Sequence, residues 1–98
     1  MTQRERNLMK RYGMTTSDFD EWYNRQAGRC AICHTKPEIL CVDHDHETGL
    51  IRGLLCNNCN RGIGLLGDNI SRLRSAVGYL TAHNLRFADE QDTYNDCR

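Results

Sequence analysis

Two Cys-x-x-Cys pairs constrain this chain more than any other feature of it. Cys30-Ala-Ile-Cys33 and Cys56-Asn-Asn-Cys59 stand with 22 residues between them. Four thiolates at this spacing close a tetrahedral zinc site, and a site with four protein ligands leaves no open position for chemistry. Such a zinc is structural. A chain of 98 residues buries only a limited core, and a structural metal is a common remedy. Whatever lies between the pairs is expected to be pinned at both ends.

Disulfides are the competing use of cysteine. The N-terminus is polar and has no signal-peptide apolar core, and paired Cys-x-x-Cys motifs without a leader read as metal ligands in a reducing cytoplasm. A cytoplasmic location, in a host cell if a phage encodes the chain, is therefore expected. No stretch approaches the length of a membrane span, so no membrane partner is expected. Cys41, in the apolar run Ile39-Leu40-Cys41-Val42, reads as a small core residue. Cys97 lies in the polar tail and is assigned no role.

The pattern of elements points to a small α+β domain over residues 1–86, followed by an acidic tail at 87–98. Residues 1–13 are basic and partly helical. Thr15 caps a helix, Asp18 completes its capping box, and Met14 can staple onto Phe19. Phe19, Trp22 and Tyr23 form an apolar face that reads as core, with Gly28 as the stop. Residues 39–45 and 50–55 read as two strands joined by the turn Glu47-Thr48-Gly49. Gly53 marks a bulge or a close approach by another backbone. A helix from Cys56 through Leu66 stops at Gly67. A last helix opens at Asp68-Asn69-Ile70, where Ile70, Leu73, Val77 and Leu80 recur at helical spacing.

Charge excludes little. Thirteen Lys and Arg balance thirteen Asp and Glu, which removes any argument from global basicity. The distribution is uneven, however. Arg4, Arg6, Lys10 and Arg11 oppose only Glu5 at one end, and Asp89, Glu90, Asp92 and Asp96 oppose only Arg98 at the other. Arginine forks suit phosphate oxygens, so DNA is a compatible partner.

Between the two pairs lies Asp43-His44-Asp45-His46-Glu47, and Asn60 directly follows the second pair. A divalent cation such as Mg²⁺ or Mn²⁺ takes oxygen ligands and keeps several waters. Asp43 offers a carboxylate and Asn60 an amide oxygen for such a catalytic metal. His44, neutral near pH 7, can take a proton from an attacking water. One local rule resists this arrangement. Neighbours in a regular strand point to opposite faces, so Asp43 and His44 reach one site only where the strand bends or loosens. Taken alone, the acid and histidine run also reads as a polar hairpin tip.

The segment from Asp43 to Glu47, together with Arg52-Gly53-Leu54-Leu55-Cys56-Asn57-Asn58-Cys59-Asn60, resembles the recombination endonuclease VII family of phages, within the HNH or ββα-metal (His-Me finger) nucleases. The resemblance covers about residues 12–83, and residues 30–67 form its specific core. It implies a hairpin-plus-helix core flanked by helices, a zinc held by Cys30, Cys33, Cys56 and Cys59, and metal-dependent cleavage of DNA. By position, Asp43 and Asn60 resemble the family's catalytic metal ligands and His44 its general base. His46 matches a family histidine, and Arg52 matches a recurring arginine able to contact phosphate. Two positions depart from the pattern: Ile63 stands where an assisting glutamate is found, and Ile51 where the broader pattern has its middle asparagine.

The function expected from all this is a metal-dependent DNA endonuclease with weak sequence preference, nicking or cutting both strands, with branched DNA among its candidate substrates. The alternative is a zinc-stabilised DNA-binding module without catalysis. A pure binder has no need of Asp43, His44 and Asn60. Cutting both strands would call for a homodimer. The stripe Ile70, Leu73, Val77 and Leu80 can serve that interface, with packing onto the chain's own core as its other use.

Overall fold

Helix α1, Gln3–Tyr12, starts on a capping box. The Thr2 hydroxyl accepts from Glu5 N–H at 3.1 Å, and the Glu5 carboxylate accepts from Thr2 N–H at 2.9 Å. That backbone donor, with the Thr2 side chain, holds the Glu5 carboxyl below its ordinary range. A cap of this kind contributes on the order of 1 kcal/mol. Gly13, left-handed at φ 63°, closes the helix, and Met14 N–H returns to Leu8 C=O. This computed structural model describes residues 1–86; the acidic tail and Cys97 lie outside the described residues.

Helix α2, Thr16–Arg25, starts as the sequence indicates, with Thr15 and Asp18 exchanging capping hydrogen bonds at 3.0 Å. Its aromatic face departs from expectation, because α2 buries no residue. Phe19 and Trp22 are half-buried, and Tyr23 is exposed. Phe19 stacks on Tyr23, while Arg4 lies over the Phe19 ring and Arg25 over the Trp22 ring. Guanidinium groups on ring faces cover apolar area without a core. Among the described residues, the buried apolar ones are instead Leu8, Met14, Cys30, Leu40, Leu54 and Leu55.

Strands β1, Cys41–His44, and β2, Ile51–Leu55, pair antiparallel. Both are shorter than the sequence pattern suggests. Ile39 is exposed and Leu40 is buried ahead of the strand, and Asp45 is drawn into the turn. The register runs Cys41 to Leu55, Val42 to Leu54 and Asp43 to Gly53, then shifts so that His44 meets Ile51. Arg52 is therefore the residue that β2 has in excess of β1. The close approach anticipated at Gly53 comes from side chains: a Cβ there would lie 3.2 Å from Gln26 Oε1 and 3.9 Å from Ala31 Cβ. Gln26 acts as a strand substitute on the outer edge of β2. Its amide accepts from Leu54 N–H and donates to Leu54 C=O, both at 2.9 Å.

Helix α3, Asn57–Leu65, runs through Gly62 and Gly64. Helix α4, Ile70–Arg86, opens on Asn69, whose Oδ1 accepts from Arg72 N–H at 2.9 Å. The chain divides into two compact units, Met1–Gly62 and Ile63–Arg98. The α4 stripe belongs to the second unit. Ile70, Val77 and Leu80 remain 66%, 64% and 58% exposed, and only Leu73 of the four is half-buried. Among the described residues no helix is long and apolar enough to cross a membrane.

Candidate functional site

The four cysteines of the two pairs meet. Their sulfurs all lie within 4.8 Å of one another, and this is the only grouping of three or more His, Cys, Asp or Glu donors among the described residues. The first pair is held by backbone: Ala31 N–H donates to Leu54 C=O, Cys30 N–H to Thr35 C=O, and His34 N–H to Cys30 C=O. His34 takes φ 64° to close that turn, and it stands outside the donor group. The second pair opens α3. Cys56 Sγ accepts from Cys59 N–H at 3.4 Å, replacing the usual capping oxygen.

The thiols behave as a set that wants a cation. Burial opposes ionisation of Cys30, yet the N–H groups of Cys33, Cys56 and Ile32 prevail and bring it down to about 6. The Thr35 hydroxyl and N–H lower Cys33 as well. Cys59 goes the other way, pushed up to about 12 by burial and by the neighbouring sulfurs. Thiolates crowded this closely repel until a metal ion neutralises them, so the donor set fits a metal such as zinc.

The acid and histidine run sits at the other end of the hairpin and divides into three jobs. Asp43 is 9% exposed and is held by Arg52, whose Nε donates to Oδ2 at 2.7 Å and whose Nη2 donates to Oδ1 at 2.9 Å. His44 is half-buried, edge-on to Tyr12 with ring centroids 5.4 Å apart and 4.6 Å from His46. Asp45 builds the turn. Its carboxylate accepts from Glu47 and Thr48 N–H, which lowers its pKa, and Gly49 at φ 76° completes the reversal.

The register shift falls between Asp43 and His44. Its extra residue, Arg52, lies on β2, so β2 is the strand that the bulge bends, and Asp43 and His44 remain successive residues of β1. The structure thus gathers Asp43 with Arg52, and His44 with His46. Asn60 is half-buried on α3, and its amide makes no hydrogen bond among the described residues. A carboxylate and an amide oxygen are donor types that Mg²⁺ and Mn²⁺ take, with waters filling most of the remaining positions.

Two contributors were missed in the sequence. Tyr12 ends α1 and abuts His44, and Gln26 fixes β2 from 28 residues away. Neither carries a local signal, because each acts across a fold contact. The Gly13 stop after Tyr12 was the one available hint that this ring sits where the chain turns.

Comparison with known proteins gives a consistent result. Residues 5–82 match the family described as recombination endonuclease VII. Two relatives are each called Gene 59 protein. That of Mycobacterium phage D29 is 43% identical over 83 residues, covering 81% of this chain and 50% of the relative. That of Mycobacterium phage L5 is 41% identical over 83 residues, covering 81% and 51%. The chain spans about half the length of the curated relatives it matches. No solved structure matches it.

Proposed function

Because this chain belongs to the recombination endonuclease VII family, we propose that it is an HNH-type, metal-dependent endonuclease that hydrolyses DNA phosphodiester bonds. The observation that carries this reading is a hairpin whose first strand ends in Asp43 and His44, with a cluster of four cysteines at its other end that can fix it. In this reading Cys30, Cys33, Cys56 and Cys59 hold a structural zinc. Asp43 and Asn60 hold the catalytic Mg²⁺ or Mn²⁺. When bound there, that cation supplies Lewis-acid polarisation of the phosphate and stabilises the leaving oxygen.

The chain's own groups do the remainder. His44, braced between Tyr12 and His46, accepts the proton of the attacking water at a ring nitrogen. His46 limits the orientations open to His44, and Arg52 is the cation nearest the reacting phosphate. Arg4, Arg6, Lys10 and Arg11 on α1 bind DNA backbone without reading bases, so affinity falls steeply with salt and sequence preference is weak. Nicking of one strand needs one such site, whereas paired cuts, including cuts at branches, need two chains. In a phage-infected cell the protein acts in the cytoplasm, where its thiols stay reduced.

A binding-only module has one observation in its favour, the commitment of both Asp43 oxygens to Arg52. Zinc-loaded protein incubated with supercoiled plasmid, with and without Mg²⁺ or Mn²⁺, separates the two. Conversion to nicked or linear DNA that requires the added cation and disappears in His44→Ala supports the nuclease. DNA retention without any cleavage under every cation supports the binder.

A further inference from the structure

The two-pronged grip of Arg52 on Asp43 raises a question that the metal assignment alone does not answer. A carboxylate exposes a limited arc of lone-pair directions. A guanidinium bonded through Nε to one oxygen and through Nη2 to the other, at 2.7 and 2.9 Å, takes one of those directions on each oxygen. It also supplies the positive charge that a nearly buried carboxylate requires. A divalent cation would use the same oxygens and satisfy the same charge.

Arg52 is placed to give way. It is the excess residue of the register shift, and its side chain is 37% exposed against 11% for that of Asp43. A DNA phosphate offers a guanidinium the same two-oxygen geometry as a carboxylate. The pair sits at the strand irregularity, next to His44.

We propose that Arg52 is an internal competitor for the cation site: it holds Asp43 in the metal-free protein and must release at least one carboxylate oxygen before a divalent cation binds there. This rests on the assignment of Asp43 as a metal ligand made above. It makes Arg52 the residue that sets cation affinity. It also gives Arg52 a second position, on phosphate, once the cation has taken its place.

The test uses the full chain with zinc loaded, in a His44→Ala background so that no DNA or activity enters the readout. Mn²⁺ binding is followed by the electron paramagnetic resonance signal of the free ion. Arg52→Gln is expected to bind Mn²⁺ on the order of tenfold more tightly than the Arg52 protein, since a competing donor and a unit charge at close range are both gone. Arg52→Lys, which keeps the charge but loses the fork, is expected to fall between them. In ¹⁵N-labelled protein, the Arg52 Nε–H resonance is expected to move as Mg²⁺ is titrated. Equal or weaker Mn²⁺ binding by Arg52→Gln and Arg52→Lys, or an Arg52 resonance that ignores saturating Mg²⁺, overturns the inference. Asp43→Asn separates the two levels: it should abolish binding in every background. If it does so while Arg52 has no effect, only the competition falls. If it leaves Mn²⁺ binding intact, the cation site lies elsewhere and the catalytic assignment falls with it.

Discussion

The hairpin has two ends made from the same two strands, and they differ in how their polar groups are committed. At the Cys41–Leu55 end the register is regular, Leu54 and Leu55 are buried, and the chain runs directly into Cys56 and the thiol cluster. At the His44–Ile51 end the register slips, and the side chains are Asp43, Arg52, His44 and His46. The first end offers donors that are complete once a single ion is supplied. In the proposed reading, the second offers partners that can be exchanged: an arginine for a cation, a water proton for a histidine nitrogen. A domain with a limited core can keep an exchangeable site only where the neighbouring end is fixed by something stronger than apolar packing.

If that contrast is sound, damage at the two ends should have different consequences. The largest effect is expected at the thiol end. Cys56→Ser removes a candidate metal ligand and the sulfur that caps α3, and should cost the metal and cooperative folding together, because a structural metal site contributes folding free energy. Elemental analysis after dialysis, with circular dichroism, reads both; Cys41→Ser serves as the control and should keep metal and fold. A folded Cys56→Ser protein would remove the distinction between the ends. At the other end, His44→Ala should lower cleavage by roughly 10² or more, the usual scale for a lost general base, with zinc content and fold unchanged. Wild-type rates from a preparation free of host nuclease would refute the assignment.

Acid should act on the thiol end with a definite sign. Protons compete with metal for the sulfurs. In the metal-free protein at neutral pH, Cys30, at about 6, is already a thiolate, whereas Cys59, at about 12, still holds its proton. Metal entry there displaces the Cys59 proton, and below about pH 6 it must displace the Cys30 proton as well. Affinity should therefore fall with acid and fall more steeply below about 6, by roughly tenfold per pH unit for each proton displaced. A chromophoric chelator competing for zinc across this range measures the slope, and metal retention independent of pH would contradict it. The smallest effect is expected from Tyr12→Leu. It loses an edge-on ring contact with His44 worth about 0.5–1.5 kcal/mol, so cleavage should drop roughly 2- to 10-fold while metal content holds. A loss as deep as that of His44→Ala would mean that Tyr12 does more than brace the histidine.

The contrast was only half visible in the sequence. The cysteine spacing, the Thr15 and Asp18 box and the hairpin turn are local patterns, and each appears where its spacing places it. What the sequence hid depends on pairing across the fold. Arg52 meets Asp43 where one excess residue shifts the register, and nothing within either strand announces that. Gln26 satisfies Leu54 through a contact that no periodicity encodes. Apolar spacing also misled on α2, where Phe19, Trp22 and Tyr23 have helical periodicity yet none of them is fully buried. Periodicity reports which residues share a face; it does not report whether a partner covers that face.

Locating two metals in one crystal tests most directly whether the two ends differ as described. Crystals of the zinc-loaded His44→Ala protein with DNA, grown in Mn²⁺, would be measured at the zinc and manganese absorption edges. The expected result is a zinc peak among Cys30, Cys33, Cys56 and Cys59, and a separate manganese peak at the Asp43 carboxylate with Arg52 withdrawn from at least one of its oxygens. Manganese absent from Asp43, with both oxygens still held by Arg52 beside bound DNA, would contradict it.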